Sequence, residues 1–156
     1  MEVEGCIMTK DLWILVQTLG KHIRRFDTLE STNEFAQAIL GESPADGTVI
    51  LADYQSQGKV QKGRVWEVTP GQNLTFSLIV YPTFVPVNRM FMLSKVVALA
   101  LRDTIAHLLP NERIQVKWPN DILINGKKTA GILIENQLEG KRIKNSIWGI
   151  GLNVNQ

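Results

Sequence analysis

The chain has 156 residues, an apolar fraction of 44% and a formal net charge of +2. This fits one globular domain and is too weak a charge to argue for a nucleic-acid-binding face. The single Cys6 excludes an intrachain disulfide, and the apolar cluster from Leu12 to Val16 is far too short to cross a bilayer, so neither secretion nor a membrane anchor is expected.

In chain order, residues 10 to 23 place Leu12, Val16, Leu19 and Ile23 on one side of a helix. Phe26 to Leu29 reads as a strand. Ser31 with Glu34 three positions on is a capping-box signal for a helix running to about Leu40, with Phe35, Ala38 and Ile39 on its buried side. Thr48 to Asp53 and Leu74 to Tyr81 read as strands, and the polar, glycine-punctuated stretch between them reads as a loop. Asn88 to Leu109 is the longest helical pattern, with Met92, Val96, Leu99 and Ala106 spaced to face a sheet and Pro110 ending it. Four strands follow, near Arg113 to Lys117, Asp121 to Ile124, Thr129 to Asn136 and Arg142 to Leu152. Turns at Asn125-Gly126 and Glu139-Gly140 make this half mostly antiparallel. The expected fold class is α+β, a mixed and largely antiparallel sheet with helices packed on one face, because consecutive strands lack crossover helices.

Chemistry concentrates in three stretches. Val116 to Leu133 gathers Lys117, Trp118, Pro119, Asn120 and Asp121 ahead of a hairpin that carries Lys127 and Lys128 just past its turn. A carboxylate, an amide, an indole and several ammonium groups at a sheet end suit a bound anion and a metal. The loop Gly58-Lys59-Val60-Gln61-Lys62-Gly63-Arg64 places three cations and two glycines within seven residues, though not in the spacing of a Walker A loop. Read without its neighbours, such a loop is as readily a solvated charged surface, and Trp66 beyond it as readily core. Ser31-Thr32-Asn33 offers hydroxyl and amide groups at a helix start, where capping accounts for Ser31 but not for Thr32 and Asn33. His22 and His107 lie outside these stretches, no His/Cys set suggests zinc, and no Ser-His pairing suggests a hydrolase.

The segment KWPND, followed by a hairpin and then KTAGIL, resembles the catalytic domain of the biotin protein ligases. DTLESTN from Asp27, ADYQSQGKVQKGRVW from Ala52, Gly71-Gln72-Asn73-Leu74 and the strand from Gly149 to Asn155 match further blocks of that family in the same order. The resemblance covers roughly residues 26 to 155 and is far more specific than any single motif. It implies a class II aminoacyl-tRNA synthetase-like sheet, an extension over residues 1–25 and a catalytic domain over residues 26–156, without the family's C-terminal β-barrel.

The resemblance also implies an activity, in which biotin and ATP give biotinyl-AMP and biotin then passes to a lysine of a biotin carboxyl carrier protein domain, in the cytoplasm. Lys128, Arg64 and Lys117 are the implied catalytic residues. Biotin falls to Ser31, Thr32, Asn33, Gln55, Gly58 and Gly131. ATP and the adenylate fall to Lys59, Gln61, Lys62, Gly63, Arg64, Trp66, Asn120 and Asn153, and Mg²⁺ to Asp121. The sequence departs from the family at Lys59, Val60 and Gln61, where arginines and a glycine are expected. About 25 residues before the first matching strand are too few for a winged-helix DNA-binding domain, so no DNA partner is expected. An edge left uncovered beyond Val154 implies self-association, such as a homodimer. A lipoyl or octanoyl transferase of the same fold group and a non-catalytic biotin-binding remnant are the alternative readings.

Overall fold

The computed structural model describes residues 19–58, 66 and 69–155. Seven strands form one sheet: β1 (Ile23–Leu29), β2 (Thr48–Gln55), β3 (Asn73–Val80), β4 (Ile114–Lys117), β5 (Asp121–Ile124), β6 (Lys127–Glu139) and β7 (Arg142–Asn153). Their spatial order is β1-β2-β3-β7-β6-β5-β4, and every pairing is antiparallel except β1 with β2. The α-helices among the described residues are the short α1 (Thr32–Ala38), continued by a 3-10 turn over Ile39–Glu42, and the long α2 (Phe91–Leu108). None of the described helices is long and apolar enough to cross a membrane.

Local chemistry explains most boundaries. Asn125 and Gly126 both adopt positive φ, 51° and 80°, as a two-residue turn between β5 and β6 requires. Ser31 caps α1, its Oγ accepting from Glu34 N at 3.4 Å. Ile23, expected at a helix end, instead begins β1, and the rest of the expected N-terminal helix up to residue 18 lies outside the described residues, with Cys6. The β1-α1-β2 segment is a crossover unit, which is why this one pair runs parallel.

The helices cover opposite faces of the sheet, not one. α1 seals one face through Ala36 and Ile39 over Ile50, Ile79 and Ile147. α2 seals the other through Leu93, Val97 and Ala98 over Val80, Ile132, Trp148 and Ile150. The reason is strand alternation: Ile79 and Val80 are neighbours on β3 and therefore face opposite ways, and both are fully buried. The buried faces of the helices also differ from expectation. In α2 it is Leu93, Val97, Ala98 and Ile105 that are buried, while Met92 and Leu99 are exposed. In α1 Ala36 replaces Ala38 at the core. Ile79, fully buried between α1 and the sheet, gives a direct stability test. Ile79→Ala should cost about 2 to 5 kcal/mol and lower the melting temperature by roughly 5 to 15 °C in a thermal denaturation scan.

Candidate functional site

The α1 face of the sheet is not covered along its whole length, and the uncovered part is polar. Pairing across five strands places Lys117, Asp121, Gly131, Gly151 and Thr75 in one row, with Leu133, Gly149 and Ser77 in the next. Directly paired residues share a face. The rows therefore form a floor with glycine at its centre, and Ser31, Thr32, Asn33, Gln55 and Trp66 wall it into a cavity.

Close approach sets the need for glycine. A Cβ at Gly149 would lie 2.3 Å from Asn33 Oδ1, and one at Gly151 would lie 2.6 Å from Trp66 Cε2. Both distances are shorter than non-bonded atoms tolerate. Gly131 also underlies the indole, since its Cβ would stand 3.0 Å from Trp66 Cζ3, and Gly58 meets Gln55 Nε2 and Trp66 Cβ at the same distance.

The polar walls are fixed by a short network. Ser31, Thr32, Asn33, Gln55, Thr75 and Ser77 are all buried. Gln55 Oε1 accepts from Thr32 N at 2.6 Å, which leaves its Nε2 as the donating end. Ser77 Oγ donates to Asn33 Oδ1 at 2.6 Å and lies 2.7 Å from Thr32 Oγ1. Ser77 has one hydroxyl proton and an amide oxygen only accepts, so the Thr32 hydroxyl must donate to Ser77. Asn33 Nδ2 donates away from the cavity, to Glu135 Oε2 at 2.7 Å and weakly to Leu133 O at 3.5 Å. The cavity thus presents spare acceptor capacity on Asn33 and Thr32, and donors on Gln55 Nε2 and the Ser31 hydroxyl.

Several buried polar atoms along this face have no hydrogen-bond partner among the described residues: Thr75 Oγ1, Trp66 Nε1 and Asn153 Oδ1. Thr75 and Trp66 line the cavity, and Asn153 lies further along the floor, paired in register with Asn73. Burying such groups without partners is costly, so their grouping points to a polar ligand.

The cationic end is organised by a β-bulge. Ala130 pairs with Ile122 but Lys128, not Thr129, pairs with Leu123, so the register shifts between Ile122 and Leu123. Strict alternation back from Gly131 would turn Lys128 to the α2 face; the extra residue turns it to the cavity face. There Lys128 Nζ lies 2.8 Å from Asp121 Oδ1 and 5.4 Å from the Trp66 ring centroid. Lys117 is exposed on the outer strand, opposite Asp121. Asn120 is engaged structurally: its side-chain Nδ2 donates to Ile132 O at 3.0 Å and its backbone carbonyl accepts from Ile132 N at 2.9 Å.

The structure thus brings together Ser31, Thr32, Asn33, Gln55, Gly58, Trp66 and Gly131, with Lys128 and Asp121 beside them. Lys59, Gln61, Lys62, Gly63 and Arg64 lie outside the described residues. Thr75, Ser77 and Glu135 escaped the sequence reading. The alternation Asn73, Thr75, Ser77 between Leu74, Phe76 and Leu78 was the available signal for the first two, since it marks one polar face on β3.

Comparison with known proteins agrees with this geometry. The chain is 39% identical over 140 residues to the bifunctional ligase/repressor BirA of Bacillus subtilis, covering 90% of this chain and 42% of that protein. It is 33% identical to the biotin--[acetyl-CoA-carboxylase] ligase of Mycobacterium tuberculosis, covering 88% of this chain and 52% of the relative. The chain therefore spans about half the length of these curated relatives. Among solved structures, the biotin protein ligase of Aquifex aeolicus in complex with biotin and ATP superposes with a TM-score of 0.71 at 29% identity, covering 87% of this chain and 53% of that one. The biotin protein ligase of Leishmania major in complex with biotinyl-5-AMP gives 0.73 at 25% identity, covering 87% and 58%. The family model for biotin/lipoate A/B protein ligases matches residues 25–153, and the chain belongs to that family.

Proposed function

We propose that this chain is the catalytic part of a biotin protein ligase, activating biotin with ATP and transferring it to a lysine of a biotin carboxyl carrier domain. One observation carries the reading: the cavity's free acceptors on Asn33 and Thr32 and free donors on Gln55 and Ser31 complement a cyclic urea, which has two N–H donors and one carbonyl acceptor. The dithiolane of a lipoyl group and the alkyl chain of an octanoyl group have no such donors, so they would leave these groups unpaired. Similarity to ligases whose structures hold biotin, ATP and biotinyl-5-AMP supports the same substrates.

In this reading the ring enters the polar cavity and its carboxylate tail runs past the Trp66 indole, which covers Gly131 and Gly151, toward Lys128. A carboxylate oxygen attacks the α-phosphorus of ATP, the new O–P bond forms, and the bond to pyrophosphate breaks. Lys128 offsets the repulsion between the two anions as they meet. The acceptor ε-amine then attacks the acyl carbon, AMP departs with the bonding electrons, and the amine proton is released. Lys117 adds charge at the rim. Trp66 provides an aromatic face for the nucleotide, with Asn153 and Asn120 supplying amide oxygens along the nucleotide's path. Lys62, Gly63 and Arg64 are assigned to the phosphates by their match to the family loop, and Lys59 and Gln61 by their place in it, where the family has arginines.

Mg²⁺ suits the donor set. Among the described residues no group of three or more His, Cys, Asp or Glu side chains could cage a metal, but Mg²⁺ on a nucleotide keeps phosphate and water ligands and needs only one or two carboxylates. Asp121, with one oxygen on Lys128 and a second remaining, would be that carboxylate, and the ion would neutralise phosphate charge. Self-association also belongs to this reading, though not through an edge beyond Val154, because β7 lies inside the sheet between β3 and β6; among the described residues the outer strands are β1 and β4.

The test is pyrophosphate release from biotin and ATP, followed by mass spectrometry of a carrier domain incubated with the chain. Biotin-dependent pyrophosphate and a single biotinyl addition are expected. Biotin binding with no pyrophosphate would instead identify a non-catalytic remnant, and lipoate-dependent turnover would identify a lipoyl-transferring enzyme.

A further inference from the structure

The geometry points to Glu135 as the positioning residue that sets the polarity of the biotin cavity, by holding the Asn33 amide in one of its two orientations. The inference rests on the ligase reading for its ligand. It rests on the network for its mechanism. Glu135 does not line the cavity. It lies on β6 one row beyond Leu133, pairs in register with Ile147, and is exposed, yet its Oε2 accepts at 2.7 Å from Nδ2 of Asn33, which is 4% exposed.

A terminal amide has two nearly isosteric orientations, and its partners decide between them. A carboxylate only accepts, so Glu135 can face Nδ2 and not Oδ1. That single constraint turns Oδ1 to Ser77 and to the space above Gly149. Ser77 then donates to Asn33, accepts from Thr32, and leaves the Thr32 hydroxyl with acceptor capacity only. The chain of orientations runs from the exposed carboxylate inward to the cavity. Reversing the amide would put N–H donors against the ligand's own N–H groups and would strip Ser77 of its acceptor.

Glu135 has no contact with the reacting carboxylate or phosphates in this reading, so its removal should act on biotin affinity and leave turnover at saturation unchanged. Glu135→Ala frees Asn33 to rotate and is expected to weaken biotin binding about tenfold or more, as loss of a charge-assisted hydrogen bond in a binding network does. Glu135→Gln keeps an accepting oxygen at the same reach but can also turn its own N–H groups to Asn33 Oδ1, so it fixes the orientation only in part. Its biotin affinity should fall between those of wild type and Glu135→Ala. The KM for ATP and the kcat at saturating biotin should be unchanged in both.

Three variants of the full chain, wild type, Glu135→Gln and Glu135→Ala, would be compared by calorimetric titration with biotin and by steady-state pyrophosphate release. Exchange of the Asn33 side-chain amide protons, followed by NMR without ligand, adds an independent reading. Wild type should protect those protons most, Glu135→Gln less and Glu135→Ala least. Because Glu135 is exposed, the alanine variant should fold, and an unchanged melting temperature verifies it. Equal biotin affinity in Glu135→Ala and wild type would overturn the assignment. So would a greater loss in Glu135→Gln than in Glu135→Ala, because glutamine retains an acceptor for Asn33 Nδ2 that alanine lacks. Should wild type bind no biotin, the ligase reading falls, and the exchange measurement still decides on Glu135: equal exchange in all three overturns the positioning role.

Discussion

Lys128→Ala is expected to slow biotinyl-AMP formation by about two to three decades, equivalent to roughly 3 to 4 kcal/mol of transition-state stabilisation. The argument begins with position. The bulge in β6 places Lys128 on the cavity face, 2.8 Å from Asp121 and above the indole of Trp66, where in the proposed reading its ammonium would meet biotin's carboxylate and the α-phosphate together. Without Lys128, the two anions approach beside an unbalanced Asp121, so the variant loses attraction and gains repulsion. Biotin affinity should change little, because the proposed partners of the ring are Ser31, Thr32, Asn33 and Gln55. The fold should also persist, since the Lys128 side chain is 42% exposed. Single-turnover pyrophosphate release beside a biotin titration separates these effects. Wild-type turnover in the variant would remove Lys128 from the reaction, and parallel loss of biotin affinity would place it with the ring instead of the phosphates.

Much of this site was legible in the sequence where the signal is local. Asn125-Gly126 specifies a turn because both positions need positive φ, and it places the second half of the floor. Ser31 and Glu34 mark a helix start, so Thr32 and Asn33 fall at the first turn, facing the sheet. Non-local features were not legible. Lys128 reaches the cavity only through a one-residue register shift, which no periodicity in LysLysThrAlaGly announces. The rows of the floor exist because β7 inserts between β3 and β6, a choice of partners that strand patterns alone leave open. The facing of α2 was misread for a simpler reason. Met92 and Leu93, and Val96 and Val97, are adjacent apolar pairs, so the apolar stripe can be drawn one residue either way, and the sheet decides. The placement of both helices on one face failed because consecutive Ile79 and Val80 are both apolar, a pattern of a strand buried on two sides.

Gly149→Ala should abolish measurable biotin binding while leaving the chain folded. The methyl group would stand 2.3 Å from Asn33 Oδ1, about an ångström inside ordinary contact, and Asn33 is held from behind by Glu135 and from the side by Ser77. It cannot retreat without breaking one of those bonds. The variant therefore either swings the Asn33 side chain to another rotamer, taking its amide oxygen away from the ligand, or displaces α1 from the sheet where Ala36 and Ile39 pack. Rotation is the cheaper course, because it costs two or three hydrogen bonds at about 1 kcal/mol each, whereas lifting α1 exposes core side chains worth about 1.5 to 3 kcal/mol apiece. The expected result is a modest drop in melting temperature together with loss of biotin affinity by a hundredfold or more, roughly 2.7 kcal/mol or beyond. Gly140→Ala is the matched control: a Cβ there meets nothing within 4 Å, although its φ of +60° adds local strain. It should retain biotin binding. If Gly149→Ala bound biotin like wild type, the ring could not lie against Asn33 and Gly149, and the cavity would have to serve a different part of the ligand.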